Sequence, residues 1–337
     1  MSSTPFAQRV NYLVPSSIRQ MMAIAKRQIG EGKTVYELNI GQPDTPCIPI
    51  FPEAIAAKAR EGHLNYSPFI GENYLRQSYA RYLNHHFDRR SVNHLAVDTE
   101  NVLVTCGASQ ALSNTFLAIC DPGDEILCVE PFFSPYSGFL AISGGILKPI
   151  STFAEKGFAL PSAEEIEKLI TPRTKAILFN SPSNPSGKVL TREEVILLAR
   201  LALKHKIFLI SDEVYREMIL TEQECFSLFQ IDLGPQEMEV FKHQIVVVDS
   251  ASKAFSLCGA RIGFVVARPE IIEKVARVQA HTIACVSDLL QFGVAAAYDY
   301  AFTHPTYFLE LRRIYRERLE AALDAVQKYL PFVIAPK

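Results

Sequence analysis

The stretch Ile245-Val246-Val247-Val248-Asp249-Ser250-Ala251-Ser252-Lys253-Ala254-Phe255-Ser256-Leu257-Cys258-Gly259-Ala260-Arg261-Ile262-Gly263-Phe264-Val265-Val266 decides how this chain is read. The aliphatic run at its start is the length and type of a buried strand, and Ile262 to Val266 form a second one. Lys253 stands between them among small residues and a glycine. A lysine held between two buried strands can shed its proton and act as a nucleophilic amine. Taken alone, Lys253 reads better as a surface residue in a strand connection. The rest of the chain decides between the two.

At 337 residues the chain exceeds one typical core, so two domains are expected. A hydrophobic content of 48% and a charged content of 21% are those of a globular protein. The formal net charge of -2 gives no sign of a nucleic-acid surface. No run of about 18 uncharged apolar residues marks a membrane span. The start, Met1 to Arg9, lacks the basic-then-apolar order of a secretory signal. The seven cysteines (Cys47, Cys106, Cys120, Cys128, Cys225, Cys258 and Cys285) are scattered and show no metal-ligand spacing. They read as core thiols in a reducing cytoplasm.

From residue 102 the pattern alternates between strand and helix. Strands are expected at 102–105, 125–129, 145–150, 175–179, 206–211, 245–249 and 262–266. Helices are expected at 107–119, 162–170 and from Thr191 through Lys204. Ser162 with Glu165, and Thr191 with Glu194, have the spacing of capping boxes. Apolar strands separated by helices belong in a largely parallel sheet covered on both faces. The fold class is therefore α/β: a large domain with a seven-stranded, mostly parallel sheet, and a smaller α+β domain built from both chain ends. The division runs at residues 1–44, 45–284 and 285–337. The first segment carries a helix at 17–30 and a short strand at 34–40, and helices at 270–284, 286–302 and 307–329 follow the sheet. Cys225 to His243 has no clear period and reads as a surface excursion.

Polar residues that could bind a ligand cluster where the strands end. Gly107-Ala108-Ser109 follows a strand and opens a helix, a place where backbone amides can bind phosphate, or simply a helix start that needed a small residue. Pro131-Phe132-Phe133-Ser134-Pro135-Tyr136 offers an aromatic that could stack on a planar cofactor or fill the core. Asn180 to Gly187 is too polar and turn-rich for core, and Asn184 could donate to a phenolate oxygen. Asp212 ends an apolar strand, where burying an acid is costly unless a cation meets it. A protonated pyridine nitrogen would be such a cation. In open α/β sheets, ligands lie beyond the carboxyl ends of the strands.

With Asn184-Pro185-x-Gly187, Asp212-x-x-Tyr215, Ser250-x-Ser252-Lys253 and Gly259-x-Arg261 in one chain, the sequence resembles the pyridoxal-phosphate-dependent aminotransferases of fold type I, in the class I/II group. The resemblance runs from Leu38-Asn39-Ile40-Gly41 nearly to the end. It implies that Lys253 is the Schiff-base lysine and proton carrier, and that Asp212 pairs with the pyridine nitrogen. Tyr215 and Asn184 would bond the phenolic oxygen, and Phe133 would stack on the ring. The Ala108 and Ser109 amides, Ser250, Ser252 and Arg261 would hold the phosphate. Tyr66 would reach the phosphate of a partner subunit, which implies a homodimer, and Gly41 together with Asn184 would lie by the substrate. The resemblance also implies cis peptides at Glu130-Pro131 and Asn184-Pro185. The implied reaction moves an amino group between an L-amino acid and a 2-oxo acid in the cytoplasm, with no nucleic acid or membrane as partner.

The sequence departs from this family at two points. It ends at Lys337, where members continue with a glycine-rich turn and an arginine that clamps the substrate α-carboxylate. The expectation is a truncated small domain, a complete cofactor site and an incomplete substrate site. Ser109 stands where members acting on acidic substrates carry a lysine, which argues mildly against aspartate as donor. Tyr36, Phe69 and Phe133 could line a pocket for an apolar side chain instead. The same cofactor site would also serve a carbon–sulfur β-lyase or a non-catalytic sensor domain. Pyridoxamine phosphate formed without an acceptor separates the transferase from both.

Overall fold

The computed structural model describes residues 10, 13, 17–36, 41–88, 95–223, 225–330 and 332–333. Helix α1 (Ser17–Gly30) is followed by α2 (Ile50–Arg60) and α3 (Asn73–Asp88). Strands and helices then alternate: β1 (Val102–Thr105), α4 (Gly107–Ile119), β2 (Glu125–Glu130), α5 (Pro135–Ser143), β3 (Ile146–Ser151), α6 (Ala163–Glu167), β4 (Thr174–Asn180) and α7 (Arg192–His205). Next come β5 (Phe208–Asp212), α8 (Pro235–Phe241), β6 (Ile245–Ser250), the single turn α9 (Ala251–Ala254) and β7 (Gly263–Ala267). Helices α10 (Pro269–Thr282), α11 (Asp288–Thr303) and α12 (Tyr307–Tyr329) follow.

The strands form one seven-stranded sheet in the order β1-β7-β6-β5-β4-β2-β3. All pairings are parallel except those of β7, which runs against both β1 and β6. The expected α/β fold with a mostly parallel sheet is the observed one. Side chains alternate across each strand, so the apolar runs feed two cores. Val104, Ile177, Leu209, Val247 and Phe264 face one core, closed by Leu75 and Tyr79 of α3, Val195 and Leu198 of α7, and Val294 and Tyr298 of α11. Leu103, Ile126, Leu178, Ile210, Val246 and Val265 face the other, closed by Leu112 and Phe116 of α4 and Val275 of α10. Helix α11 lies against α2 and α3. Gly293 permits this approach, because a Cβ there would come within 2.8 Å of the Phe51 ring.

Both capping boxes form. Thr191 accepts from the Glu194 amide, and Glu194 accepts from the Thr191 amide at 2.8 Å. Ser162 and Glu165 do the same, yet α6 stops at Glu167 and its last residues tighten into i→i−3 bonds. The strand expected at 34–40 is not formed at Thr34–Tyr36, and its remainder lies outside the described residues. Cis peptides occur at Glu130-Pro131 and Asn184-Pro185, and also at Ser181-Pro182. The segment at 225–243 is a correction: Leu228, Ile231 and Phe241 are fully buried in the first core. Its period is hidden because a 3-10 turn and the short α8 bury their apolar residues through irregular loops.

Beneath the ends of β5 and β6 lies a buried charge cluster. Arg216 donates to Asp249 at 2.6 Å and to Glu213 at 3.0 Å, and its Nε lies 3.6 Å from Glu217. Tyr79 donates to Asp249 at 2.7 Å, Tyr82 to Glu217 at 2.5 Å, and the Ser227 hydroxyl and Leu228 amide to Glu213. Burial raises the carboxyls of Glu213 and Asp249 above their ordinary range, against the pull of Arg216. Burial acts on Glu217 in the same sense, but His86 and Arg216 outweigh it and hold that carboxyl low.

Two stability changes should follow. Phe241→Ala is expected to cost about 3–5 kcal/mol, against under about 0.5 kcal/mol for an ordinary surface change, in denaturant titration. Arg216→Met should cost about 3–5 kcal/mol at neutral pH, since it strands buried carboxylates. Removing the cation raises Glu213 and Asp249 further, so the deficit of the variant should shrink as pH falls and they protonate. Melting curves at several pH values would show whether the gap narrows toward acid.

Candidate active site

The polar residues singled out in the sequence meet at one edge of the sheet because the register puts their strand ends side by side. Asn180 pairs with Asp212 across β4 and β5, and Asp212 with Val248 across β5 and β6. Ser250 pairs with Gly263, and Gly263 with Thr105 of β1. The segments that follow β1, β2, β4, β5 and β6, and the one that precedes β7, therefore open toward the same space.

Lys253 sits in α9, half-buried, after Ser250 has capped that turn by accepting from the Ser252 amide. Its Nζ donates to the Gly41 carbonyl at 2.5 Å and lies 5.6 Å from the centre of the Tyr215 ring. Cys258 Sγ is 3.9 Å from the same nitrogen, a neighbour the sequence did not single out. Gly41 is exposed and reaches Lys253 through its backbone. Asn184 donates through Nδ2 to the Tyr215 hydroxyl at 3.2 Å, and its own amide is held by Asn180 at 2.7 Å. Burial raises the Tyr215 phenol above its ordinary range, and the Asn184 bond opposes this.

Asp212 is 4% exposed. Burial pushes its carboxyl up to about 6, against the opposing bonds from Tyr136 and the Val214 amide. Among the described residues its side-chain partners are Tyr136 at 2.5 Å and the Val214 amide at 3.3 Å, and neither carries positive charge. A buried acid in that position suits a cationic ligand atom.

At the other end of the edge the backbone is packed to its limit. A Cβ on Gly263 would lie 2.5 Å from the Ala108 nitrogen, and one on Gly107 would lie 2.2 Å from the Arg261 guanidinium. Gly107 also has φ +74°, a left-handed conformation that favours glycine. The first turn of α4, with Ala108 and Ser109, is thus pressed against β7 and Arg261. Arg261 donates to the carbonyls of Cys258 at 3.0 Å and Cys106 at 3.4 Å. Ser250 and Ser252, both buried, lie one strand away. Helix-start amides, two hydroxyls and a guanidinium are the donor set a phosphate requires. With Asp212 for a ring nitrogen, Asn184 and Tyr215 for a phenolic oxygen and Lys253 for an aldehyde, these residues fit pyridoxal phosphate.

Phe133 is half-buried and meets Tyr136 edge-on, with ring centres 5.5 Å apart. Tyr66 is set apart from the rest at 91% exposed. Tyr36 and Phe69 are exposed at 83% and 51%. Sequence reasoning missed Tyr136 as a partner of Asp212 and the Arg216 cluster behind it. The run Asp212-Glu213-Val214-Tyr215-Arg216-Glu217 held the signal: three acids and an arginine just past a buried strand.

A family model described as aminotransferase class I and II matches residues 33–336. An aspartate aminotransferase of Thermotoga maritima is 32% identical over 87% of this chain and 74% of its own length. An aspartate/prephenate aminotransferase of Thermus thermophilus is 32% identical over 95% of this chain and 79% of its own. The structure of aspartate aminotransferase from Thermus thermophilus with maleate superposes with a TM-score of 0.86 at 31% identity, covering 97% of this chain and 81% of that one. The family model and these likenesses show that the chain belongs to the class I and II aminotransferases and is an aminotransferase of fold type I.

Proposed function

We propose that this chain binds pyridoxal phosphate at the sheet edge and moves an amino group between an L-amino acid and a 2-oxo acid. The observation that carries the reading is Asp212, a buried acid with no cation among its partners in the described residues, on the same edge as Lys253. When bound, the cofactor supplies an aldehyde that condenses with amines and a ring that accepts electrons. Lys253 Nζ would be the amine that holds the aldehyde and the base that carries the substrate's α proton. Asp212 would pair with the protonated ring nitrogen. Tyr215 and Asn184 orient the phenolic oxygen, and Phe133 holds the ring plane. The α4 amides at Ala108 and Ser109, with Ser250, Ser252 and Arg261, bind the phosphate and fix the ring in register with Lys253. Gly41 lies by the substrate.

The relatives named above are called aspartate or aspartate/prephenate aminotransferases. Ser109 has no charge to pair with a side-chain carboxylate, so an acidic substrate would need another cation. We read the donor as an L-amino acid whose side chain is not selected by an ion pair at residue 109. No helix among the described residues is long and apolar enough to cross a membrane. Cysteines with no disulfide among the described residues fit the cytoplasm. The exposure of Tyr66 fits a homodimer in which it serves the partner's site.

Borohydride reduction of the loaded protein followed by peptide mapping should place the label on Lys253; a label elsewhere, or no uptake by folded protein, refutes the assignment. Asp212→Ala should lower formation of pyridoxamine phosphate from amino acids far more than Asp212→Glu, by at least about a hundredfold if the ring nitrogen loses its partner. Mixing Lys253→Ala subunits with Tyr66→Phe subunits should restore activity through hybrid dimers with one intact site. A mixture no more active than its components, or a monomer in sedimentation, counts against the shared site.

A further inference from the structure

Tyr136, in the first turns of α5, has no exposed surface. A buried phenol needs a partner for its hydroxyl. It has one: Oη donates to Asp212 Oδ2 at 2.5 Å, while Oδ1 accepts the Val214 amide at 3.3 Å. The same ring meets Phe133 edge-on and stacks beside Phe132, with centres 5.5 and 6.5 Å away. One side chain therefore touches both the acid and the aromatic that the cofactor reading assigns to the ring. We propose that Tyr136 is a positioning residue of the transamination site, holding Asp212 ionised and fixed in orientation toward the cofactor nitrogen. The proposal rests on that cofactor reading.

The charges around Asp212 explain why it needs such a donor. Glu213 lies beside it in the chain, Asp249 sits near the end of β6, Tyr215 follows β5 and the buried thiol of Cys128 faces it from β2. Each of these is neutral or negative, and none favours the anion. Burial is the largest influence and works against ionisation; the Tyr136 bond is the strongest influence in the other direction, ahead of the Val214 amide. A carboxylate deprived of its phenol takes up a proton at higher pH and stops pairing with a protonated ring nitrogen. Glu213 and Asp249 are ion-paired with Arg216, and an ionised carboxylate has no hydrogen to donate in place of the phenol.

The test reads Asp212 directly. The full chain, freed of cofactor and carrying 13C-labelled aspartate, is titrated by NMR, with the Asp212 signal assigned by its loss in Asp212→Asn. In Tyr136→Phe the midpoint should rise by about one unit or more, a tenfold change in proton affinity. In the loaded enzyme the acid limb of the turnover profile should move to higher pH, whereas a merely structural loss would lower turnover at every pH. An unchanged midpoint in a folded variant overturns the proposal. If Tyr136→Phe does not fold, 3-fluorotyrosine placed at position 136, a stronger donor of nearly the same size, should lower the midpoint; a midpoint that stays or rises overturns it. Pyridoxal phosphate titrated into the wild-type chain and followed by absorbance checks the underlying reading separately. Failure there overturns the cofactor assignment and the catalytic half of the proposal, with the Asp212 titration still readable.

Discussion

The guanidinium of Arg216 ties the ends of two neighbouring strands to one point. It bonds Glu213, which follows Asp212 at the end of β5, and Asp249, which precedes Ser250 at the end of β6. Asp212 and the turn bearing Lys253 are thereby set relative to each other by a buried ion cluster rather than by loops. Breaking a buried pair costs more than the intact pair contributes, because the stranded partner keeps its desolvation penalty. This asymmetry makes the cluster a rigid support. Tyr79 and Tyr82 extend it into α3, and Arg312 of α12 lies 3.8 Å from Glu217.

Two carboxylates that adjoin in the chain, Asp212 and Glu213, are handled in opposite ways. Glu213 is met by Arg216, the Ser227 hydroxyl and the Leu228 amide. Asp212 has a phenol and one amide. Both are buried, so desolvation acts on each, yet among the described residues only Glu213 is given a cation. The difference separates a residue that supports the fold from one left to meet a ligand. Under the proposed function a cationic ring nitrogen would complete the electrostatics of Asp212, and binding energy gained there would also favour the folded chain.

Much of this was legible because β4, β5 and β6 end in polar residues after apolar runs. Asn180, Asp212 and Ser250 could be placed at the strand ends by that change alone, and the alternation fixed which edge they shared. Helix starts at Ser162 and Thr191 were legible because a capping box is a local pattern. What was not legible depends on contacts remote in sequence. Tyr136 lies 76 residues from Asp212, and an aromatic after two prolines looks like any core residue. Arg216 could be seen beside three acids, but Asp249 is 33 positions away and only the sheet brings it close. The 225–243 segment misled because its helix is only seven residues long, too short for a period to emerge.

The loop at 41–45 joins the site to the last helix. The Gly41 carbonyl receives Lys253 Nζ at 2.5 Å. Four residues on, the Thr45 hydroxyl lies 2.7 Å from Ser256 in the turn that follows Lys253, and 3.3 Å from the Tyr315 hydroxyl of α12. Arg318 of α12 pairs with Asp44 at 2.5 Å, and Arg316 donates to the Leu220 carbonyl at 2.8 Å. The exposed pair at Asp44 contributes little to stability by itself. Its role is geometric: with Thr45 it keeps the loop against both α12 and the Lys253 turn. Through these contacts α12 bears on the Gly41 carbonyl that Lys253 Nζ meets. The ion cluster around Arg216 and the hydrogen bonds of this loop thus meet at Lys253.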